Sequence, residues 1–222
     1  MLVCIPDVLD WTELKKIHAL IGDGAFKDGR LTAGYRAKRV KHNLQLDKEA
    51  PGAQEAKTLI VNALKRNRMF QRAAMPHTIR PFLISRYEVG MQYGMHVDDA
   101  LMGGHPKVRS DVSITVFLNA PDEYEGGELT IASPFGEQQV KLPAGAAVVY
   151  PSSTLHRVEP VTRGVRLAAV SWIQSYVRDP ARREILFDIY RLREKIATLA
   201  PDAEETDLAF KTHSNLLRMW SE

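Results

Sequence analysis

Between Thr78 and Val177 the chain consists of short stretches in which apolar and polar residues alternate or apolar residues run together. Alternation with a period of two is typical of β-strands, because successive side chains point to opposite faces. Turn signals such as GGHP, PDEYEGG, SPFG, PAG and TRG separate the stretches. The pattern predicts strands near residues 78–88, 108–120, 127–133, 137–143, 146–151, 155–161 and 165–177. Strands at this spacing without intervening helices are typical of an antiparallel sandwich or jelly roll.

The residues before this region follow a helical pattern instead. Residues 7–22 are predicted to form a helix, because Asp10 and Glu13 have the capping-box spacing and Gly22 suits the helix end. A second helix is predicted over residues 51–67, where a proline begins the segment and apolar side chains recur on one side.

The pattern becomes helical again after Val177. Asp179 can cap a helix that begins at Pro180, and apolar residues recur in steps of four and three as far as Leu199. Pro201 ends that helix, and a last helix follows it. The apolar stripe of these helices suits either packing on the chain's own strands or a homodimer interface.

These elements predict a mainly β fold with flanking helices (α+β): a jelly roll preceded by N-terminal helices and followed by a C-terminal helical segment. We divide the chain accordingly into an N-terminal helical and strand support (1–77), a core domain (78–177) and a C-terminal helical segment (178–222).

Composition narrows the class of protein. The chain has 222 residues, of which 45% are hydrophobic, and 30 basic residues stand against 27 acidic ones for a net charge of +3. So mild a charge argues against nucleic acid as the partner. A single cysteine excludes a disulfide framework and a cysteine-based metal site. No apolar run approaches the roughly 18 residues of a membrane span, and the start has no signal-peptide pattern, so a cytoplasmic location is expected.

One candidate site lies in the stretch YEVGMQYGMHVDD, residues 87–99. His96 and Asp98 are two residues apart, so on a strand they share a face and can bind one metal ion. A third ligand would come from His156, on a predicted strand of the same sandwich, or from His105 in a Gly-Gly-His-Pro loop, with His156 favoured. Two histidines and one carboxylate are the ligands of non-haem Fe(II) sites, whereas zinc favours tetrahedral N/S sites. Taken alone, a His-x-Asp pair favours the alternative that His96 is an ordinary polar residue at a strand end.

A second candidate is Arg166, which stands in an otherwise apolar predicted strand, VRLAAVSW. Both faces of that strand are apolar, so a buried arginine there requires a buried anion. A guanidinium pairs with a carboxylate through two parallel hydrogen bonds. A dicarboxylate could bind iron with one end and Arg166 with the other, as 2-oxoglutarate does. The alternative is an outward-facing arginine on an edge strand.

Four segments of the sequence are similar to the motifs of a known enzyme family: RYEVGMQYGMHVD (86–98), EGGELTI (125–131), GAAVVYPSSTLHRV (145–158) and GVRLAAVSWIQS (164–175). They resemble the Fe(II)/2-oxoglutarate dioxygenases of the prolyl-hydroxylase type, and most closely the bacterial PKHD-type hydroxylases associated with iron uptake. Because the flanking helical segments fit that type as well, the resemblance covers nearly the whole chain.

The resemblance implies a double-stranded β-helix fold and a role for each candidate residue. His96, Asp98 and His156 would bind Fe(II), Arg166 would bind the far carboxylate of 2-oxoglutarate, and Tyr87 would line the cosubstrate pocket. It implies hydroxylation of a substrate with O2 and release of succinate and CO2, with L-ascorbate keeping the iron reduced. The sequence does not identify the substrate.

Two alternatives remain open at this stage. The basic segment GYRAKRVKHN (34–43) suits a related oxygenase that demethylates nucleic acid, although its charges also suit a solvated surface. A non-catalytic jelly-roll sensor of iron or 2-oxoglutarate is the other. The glycine-containing loop 99–109, next to the predicted ligands, is expected to act as a mobile substrate lid.

Overall fold

Most strands of the protein belong to two antiparallel sheets. The structure, a computed structural model, describes residues 1–22 and 26–222. In chain order the strands are β1 (Val3–Ile5), β2 (Phe26–Asp28), β3 (Lys41–His42), β4 (Leu44–Leu46), β5 (Pro76–Ile79), β6 (Leu83–Tyr87), β7 (Gln92–His96), β8 (Leu101–Met102), β9 (Val108–Arg109), β10 (Val112–Phe117), β11 (Tyr124–Gly126), β12 (Leu129–Ser133), β13 (Gly136–Val140), β14 (Ala147–Pro151), β15 (His156–Val158), β16 (Val161–Gly164) and β17 (Arg166–Ser175).

The larger sheet has the strand order β1-β14-β10-β17-β6-β4-β2, and β5 also pairs with β17. The smaller sheet has the order β13-β12-β15-β7-β3. Two short antiparallel pairs, β8 with β9 and β11 with β16, complete the strands of the described residues. Apolar side chains of both sheets meet in one buried cluster: Tyr87, Phe117, Leu129, Ile131, Val140, Val148, Tyr150, Val158 and Val161. The two sheets therefore pack face to face, as the predicted jelly roll requires.

The β10 strand shows why this part of the chain forms a buried sheet. All six of its residues are buried, and it pairs with β14 on one side and β17 on the other. Val112, Ile114 and Val116 pack with the helices, whereas Ser113 and Thr115 face the space between the sheets. The period of two thus separates a helix-covered apolar face from a face that carries the polar groups of the site.

The helices are α1 (Trp11–Ile21), α2 (Ala53–Arg66), α3 (Arg68–Ala74), α4 (Pro180–Leu199) and α5 (Glu204–Trp220), with short 3-10 turns at Gly29–Thr32 and Ala37–Arg39. The predicted capping box of α1 is present: Asp10 accepts from the Glu13 backbone N–H, and the Glu13 side chain accepts from the Asp10 backbone N–H. Asp179 likewise caps α4, whose first residue is Pro180. The apolar faces of α1, α2 and α3, together with Phe187 of α4, join the outer face of the larger sheet in the main core.

The fold class predicted from the sequence is confirmed, with differences in detail. Helix α2 begins at Ala53, two residues later than expected, because Gly52 precedes it in the left-handed region with φ 80°. Helix α3 was not predicted; it begins where Asn67 ends α2 and caps the next turn through the Phe70 N–H. Among the described residues, no helix combines the length and apolar character that crossing a membrane would need.

Candidate metal centre

Two histidines and one aspartate lie close together in the space between the two sheets, on the side of the smaller sheet. His96 is the last residue of β7 and His156 is the first of β15, and the pairing of these strands sets the two directly opposite each other. Asp98 lies two residues beyond the end of β7. One ligand atom from each of the three lies within 4.8 Å of the others. The strand register, rather than proximity in sequence, therefore creates the cluster.

The backbone orients both imidazole rings in the same way. Nδ1 of His96 donates to the Gly94 carbonyl at 2.8 Å, and Nδ1 of His156 donates to the Thr154 carbonyl at 2.9 Å. Since a neutral imidazole carries one N–H, these bonds leave each Nε2 as a lone pair available to a metal. Such a bond from the second ring nitrogen is typical of metal-binding histidines.

The carboxylate of Asp98 is held by a hydrogen bond from a serine, whose hydroxyl contacts that of a second serine. Ser113 Oγ donates to Asp98 Oδ2 at 2.5 Å, and the Ser113 and Ser152 hydroxyls are 2.8 Å apart. Nε2 of His156 lies 3.8 Å from Asp98 Oδ2. Both serines are buried, so this anchor is shielded from water.

Burial keeps His96 in the protonation state that metal binding needs. Burial and the nearby His156 lower the pKa of His96 to about 4, so this ring is neutral at pH 7. The ring of Tyr93 stacks on that of His96 with centroids 3.6 Å apart. The ring of Tyr150 meets that of His156 edge-on at 5.2 Å, and burial raises the pKa of the Tyr150 hydroxyl well above 10.

The donor set fits Fe(II) in a site with open positions. Two neutral imidazoles and one carboxylate are the ligands that non-haem Fe(II) oxygenases use, and three protein ligands leave the remaining positions of an octahedron for small molecules. His105, the alternative third ligand, is exposed and lies outside the cluster found among the described residues.

A cavity of about 450 Å³ opens from this cluster. Its floor comes from the larger sheet, with Tyr87, Thr115, Arg166 and Val170, and the metal cluster forms part of its opposite wall. The mouth is bordered by residues 101–103 on one side and by residues 32–37 on the other. The size suits small molecules bound beside a metal ion.

Arg166 lies at the inner end of the cavity and is 1% exposed. Its Nε is buried without a hydrogen-bond partner among the described residues. The guanidinium lies 5.1 Å from the ring centroid of Tyr87 and 5.7 Å from that of Phe117. Gly127 makes room for it, because a Cβ there would fall 2.9 Å from Arg166 Cδ. A buried cation with an unused donor fits an anionic ligand such as the far carboxylate of 2-oxoglutarate.

The comparison with known proteins agrees with this geometry. Residues 82–174 match the model of the 2OG-Fe(II) oxygenase superfamily. The chain is 52% identical to a PKHD-type hydroxylase of Synechococcus sp. (strain JA-2-3B'a(2-13)) and 49% identical to one of Thermosynechococcus vestitus, over 100% of both chains in each case. The chain belongs to the PKHD-type hydroxylases. It is therefore a 2OG-Fe(II) oxygenase, with Fe(II) and 2-oxoglutarate as its metal and cosubstrate.

Solved structures share the fold of this hydroxylase. A prolyl hydroxylase from Trichoplax adhaerens, solved with a hypoxia inducible factor peptide fragment, superposes with a TM-score of 0.57 at 16% identity, covering 78% of this chain and 82% of that one. A non-heme α-ketoglutarate dependent carbocyclase from nogalamycin biosynthesis reaches the same TM-score at 15% identity, covering 79% and 80%. Since one neighbour is a hydroxylase and the other a carbocyclase, these likenesses establish the fold and not the reaction.

Several buried polar groups of the hydroxylase were not predicted from the sequence. Ser113 carries no motif, and Lys41 was assigned only to a basic surface segment, yet it is 7% exposed and lines the cavity. His213, to which the sequence assigned no role, is 4% exposed and accepts from Arg193 Nη1 at 3.0 Å. Burial and that arginine lower its pKa to about 4. A motif search could not find these, because each depends on the packing of distant segments.

Proposed function

We propose that His96, Asp98 and His156 bind Fe(II), that Arg166 and Tyr87 bind 2-oxoglutarate, and that the enzyme hydroxylates a small or peptide substrate. The observation that carries this proposal is that one cavity contains the residues for both the metal and the cosubstrate. It has a two-histidine, one-carboxylate cluster in its wall and a buried arginine with an unused donor at its inner end.

The bound iron and 2-oxoglutarate would supply the oxidising chemistry: O2 oxidatively decarboxylates 2-oxoglutarate to succinate and CO2, and its second oxygen atom enters a C–H bond of the substrate as a hydroxyl. The protein's own residues bind and orient. Arg166 pairs with the distal carboxylate and so fixes the direction of the cosubstrate. Tyr87, buried and directly opposite Arg166 in the strand pairing, closes the pocket against water.

The loop 99–109 is our candidate for a substrate lid. Its strands β8 and β9 pair with each other, and Leu101, Met102 and Gly103 line the mouth of the cavity. Closure of this hairpin over a bound substrate would exclude water from the reacting groups.

The test combines binding with turnover. Under anaerobic conditions, Fe(II) followed by 2-oxoglutarate should produce the charge-transfer absorption of a chelated cosubstrate. On admission of O2, a screen of metabolites and peptides should reveal compounds that raise succinate release above the uncoupled background. A protein that binds iron and 2-oxoglutarate but never consumes them with O2 would be the non-catalytic sensor instead.

Three further features belong to this proposal. L-ascorbate is expected to restore iron oxidised in uncoupled turnover. Iron homeostasis is the proposed physiological setting, and the cytoplasm the proposed location. The division into segments 1–77, 78–177 and 178–222 is retained as a functional one, in which 78–177 supplies the metal and cosubstrate residues.

Demethylation of nucleic acid is the weaker alternative. It rests on the basic residues of segment 34–43, of which Arg39 is exposed and donates to the hydroxyl of Tyr35. Binding of DNA or RNA that weakens steeply with salt would support it. Without such binding, the segment is a solvated surface that happens to border the cavity.

A homodimer through the C-terminal helices is proposed from exposed apolar side chains on α4 and α5. Leu192, Leu199, Leu208 and Met219 are each more than half exposed, and surfaces of this kind are typical of association sites. Light scattering should show a dimer that Leu199→Glu converts to a monomer. A monomeric parent protein would remove the proposal.

A further inference from the structure

A lysine on the cavity wall has no assigned part in the chemistry. Lys41 lies in β3, where it pairs with Tyr93 of β7. Its side chain lines the cavity although the residue is 7% exposed. Its Nζ lies 5.1 Å from the ring centroid of Tyr93, and that ring stacks on the metal ligand His96. The ammonium is thus one aromatic ring away from the metal cluster.

The ammonium of Lys41 is poorly satisfied by the protein. It has three N–H donors, and its hydrogen-bond partner among the described residues is the hydroxyl of Thr32 at 3.2 Å. No carboxylate in the described part of the chain lies within ion-pair distance of Nζ. Burial lowers the pKa of Lys41 to about 8, so it is charged at pH 7. A buried cation without a carboxylate partner is costly unless a ligand supplies the anion.

The charges around the cavity point the same way. Arg80 also lines it, with a buried Nε that lacks a partner among the described residues. Once Arg166 is matched with 2-oxoglutarate and Asp98 with the metal, Asp99 is the one carboxylate of the described lining that is left beside Lys41 and Arg80. Because the charges of Fe(II) and the 2-oxoglutarate dianion cancel, the loaded cavity keeps an excess of positive charge.

The position of Lys41 in the chain separates it from the cosubstrate machinery. The superfamily match covers residues 82–174, and that range contains the three proposed metal ligands, Tyr87 and Arg166. Lys41 lies on a wall built from residues 32–45, outside the match. A group needed for the shared cosubstrate is expected inside the shared region, whereas a group that selects this enzyme's own substrate can lie outside it.

We infer that Lys41 binds a carboxylate of the primary substrate, so that the enzyme hydroxylates a small carboxylic acid or a residue next to a peptide carboxylate. The inference rests on the proposed function, because it presupposes that Arg166 and the metal hold 2-oxoglutarate. Arg80, on the larger-sheet side of the mouth, adds to the attraction for an anionic substrate.

The experiment uses the full-length protein loaded anaerobically with Fe(II) and 2-oxoglutarate. N-acetylglycine, N-acetylproline and benzoate are titrated in, each beside its own carboxamide, and binding is measured by calorimetry and by the shift of the charge-transfer absorption. At least one carboxylate should bind the parent protein. Its uncharged amide, and the same acid with Lys41→Met, should bind about tenfold more weakly or worse, since a charge-assisted hydrogen bond is lost. Lys41→Arg should recover part of the affinity.

The controls separate this inference from the proposed function. Lys38→Met removes an exposed charge from the same segment and should leave carboxylate binding as in the parent. The affinity for 2-oxoglutarate should stay within about twofold in Lys41→Met, and a large loss would assign Lys41 to the cosubstrate and overturn the inference. Equal binding of the acids to parent and Lys41→Met, or no binding of any acid to the parent, would also overturn it. A parent without the charge-transfer absorption would instead refute the proposed function. Should Lys41→Met fail to fold, Lys41→Gln takes its place.

Discussion

The two walls of the cavity were built in different ways. The first wall, as we call it, combines the floor of the cavity with the facing side that carries the metal cluster. Pairing of β7 with β15 sets His96 opposite His156, and pairing of β6 with β17 sets Tyr87 opposite Arg166. The other comes from residues 32–45, a stretch of short turns and two- or three-residue strands. The first wall carries the residues of the family's common chemistry. The second carries Lys41, whose charge no motif explains.

The difference teaches where a common chemistry and a particular substrate are encoded. Strands of five to ten residues, such as β6, β7 and β17, fix side chains rigidly on elements that tolerate little change, which suits a metal and a cosubstrate shared within the family. Short irregular segments at a cavity mouth are free to vary, which suits the recognition of individual substrates. Each prediction below changes a residue on one wall and measures the binding or the stability to which that residue contributes.

The largest effect is expected at the metal cluster. His96→Ala, Asp98→Ala and His156→Ala should each abolish tight binding of Fe(II), because every one removes a direct ligand from a three-ligand site. The measurement is the iron stoichiometry of protein reconstituted anaerobically and then freed of loosely bound metal.

His105→Ala is the matched control for the metal ligands. This histidine is exposed and lies outside the cluster, so its loss should leave one Fe(II) per chain. If His105→Ala loses iron while His156→Ala keeps it, the third ligand has been assigned wrongly.

The next effect is expected at the inner end of the same wall. Arg166→Ala leaves the distal carboxylate of 2-oxoglutarate buried and unpaired, at a cost of about 3–5 kcal/mol. The affinity for 2-oxoglutarate should fall by roughly two to three and a half orders of magnitude. Arg166→Lys should recover part of it, because charge returns without the two-pronged geometry.

The affinity for Fe(II) shows whether such a loss comes from the missing guanidinium or from damage to the metal site. Arg166 is not a metal ligand, so the variants should bind Fe(II) as the parent does, yet Arg166→Ala should lose the charge-transfer absorption at concentrations of 2-oxoglutarate that saturate the parent. Unchanged 2-oxoglutarate affinity in Arg166→Ala would mean that the cosubstrate is held elsewhere.

The sequence predicts the features of the first wall better than those of the second. The period of two in GVRLAAVSW predicted a buried strand, and the conflict between that burial and one arginine identified Arg166 as a candidate anion-binding residue. The spacing of His96 and Asp98 identified two candidate ligands, although Asp98 lies just beyond the strand on which it was expected. These features are local, and local patterns are what a sequence displays directly.

The remaining features depend on register and packing between distant segments. Ser113 reaches Asp98 because of the order in which β10 and β7 are placed in their sheets. Lys41 is an exposed basic residue by pattern, and it is buried because β3 pairs with β7 and turns its side chain inward. His213 is buried by the packing of α5 on α4, through Arg193. No periodicity within one segment reports such contacts.

On the second wall, the buried charge of Lys41 is expected to lower the free energy of unfolding of the protein. The pKa of Lys41 is about 8 in the folded protein against 10.5 for a free lysine. Below pH 8 the residue is charged in both states, and the difference corresponds to roughly 3 kcal/mol of destabilisation. Lys41→Met should therefore be more stable than the parent at pH 7, by up to about that amount. Urea unfolding of the metal-free proteins measures it.

The pH dependence checks the cause of that gain. As pH rises from 8 to 10.5, folded Lys41 is neutral while the unfolded chain still binds the proton, so the parent gains stability and the gap to Lys41→Met closes. Lys38→Met, exposed in the same segment, should show neither the gain nor its pH dependence. A Lys41→Met protein less stable than the parent at pH 7 would mean that the contacts to Thr32 and Tyr93 outweigh the cost of the buried charge.

The smallest effect is expected at Ser113, which supports Asp98 on the first wall. Ser113 is buried and donates to Asp98 Oδ2 at 2.5 Å, so Ser113→Ala should leave all three ligands present but free the carboxylate to rotate. Loss of such a supporting bond typically weakens metal binding by about 10–100-fold, which competition with a calibrated chelator can measure. Ser152→Ala is the matched control, since it removes the hydroxyl beyond Ser113 and keeps the bond to Asp98. If both variants bind Fe(II) as the parent does, Asp98 is positioned by its backbone alone, and the larger sheet contributes only Arg166 and its neighbours to the site.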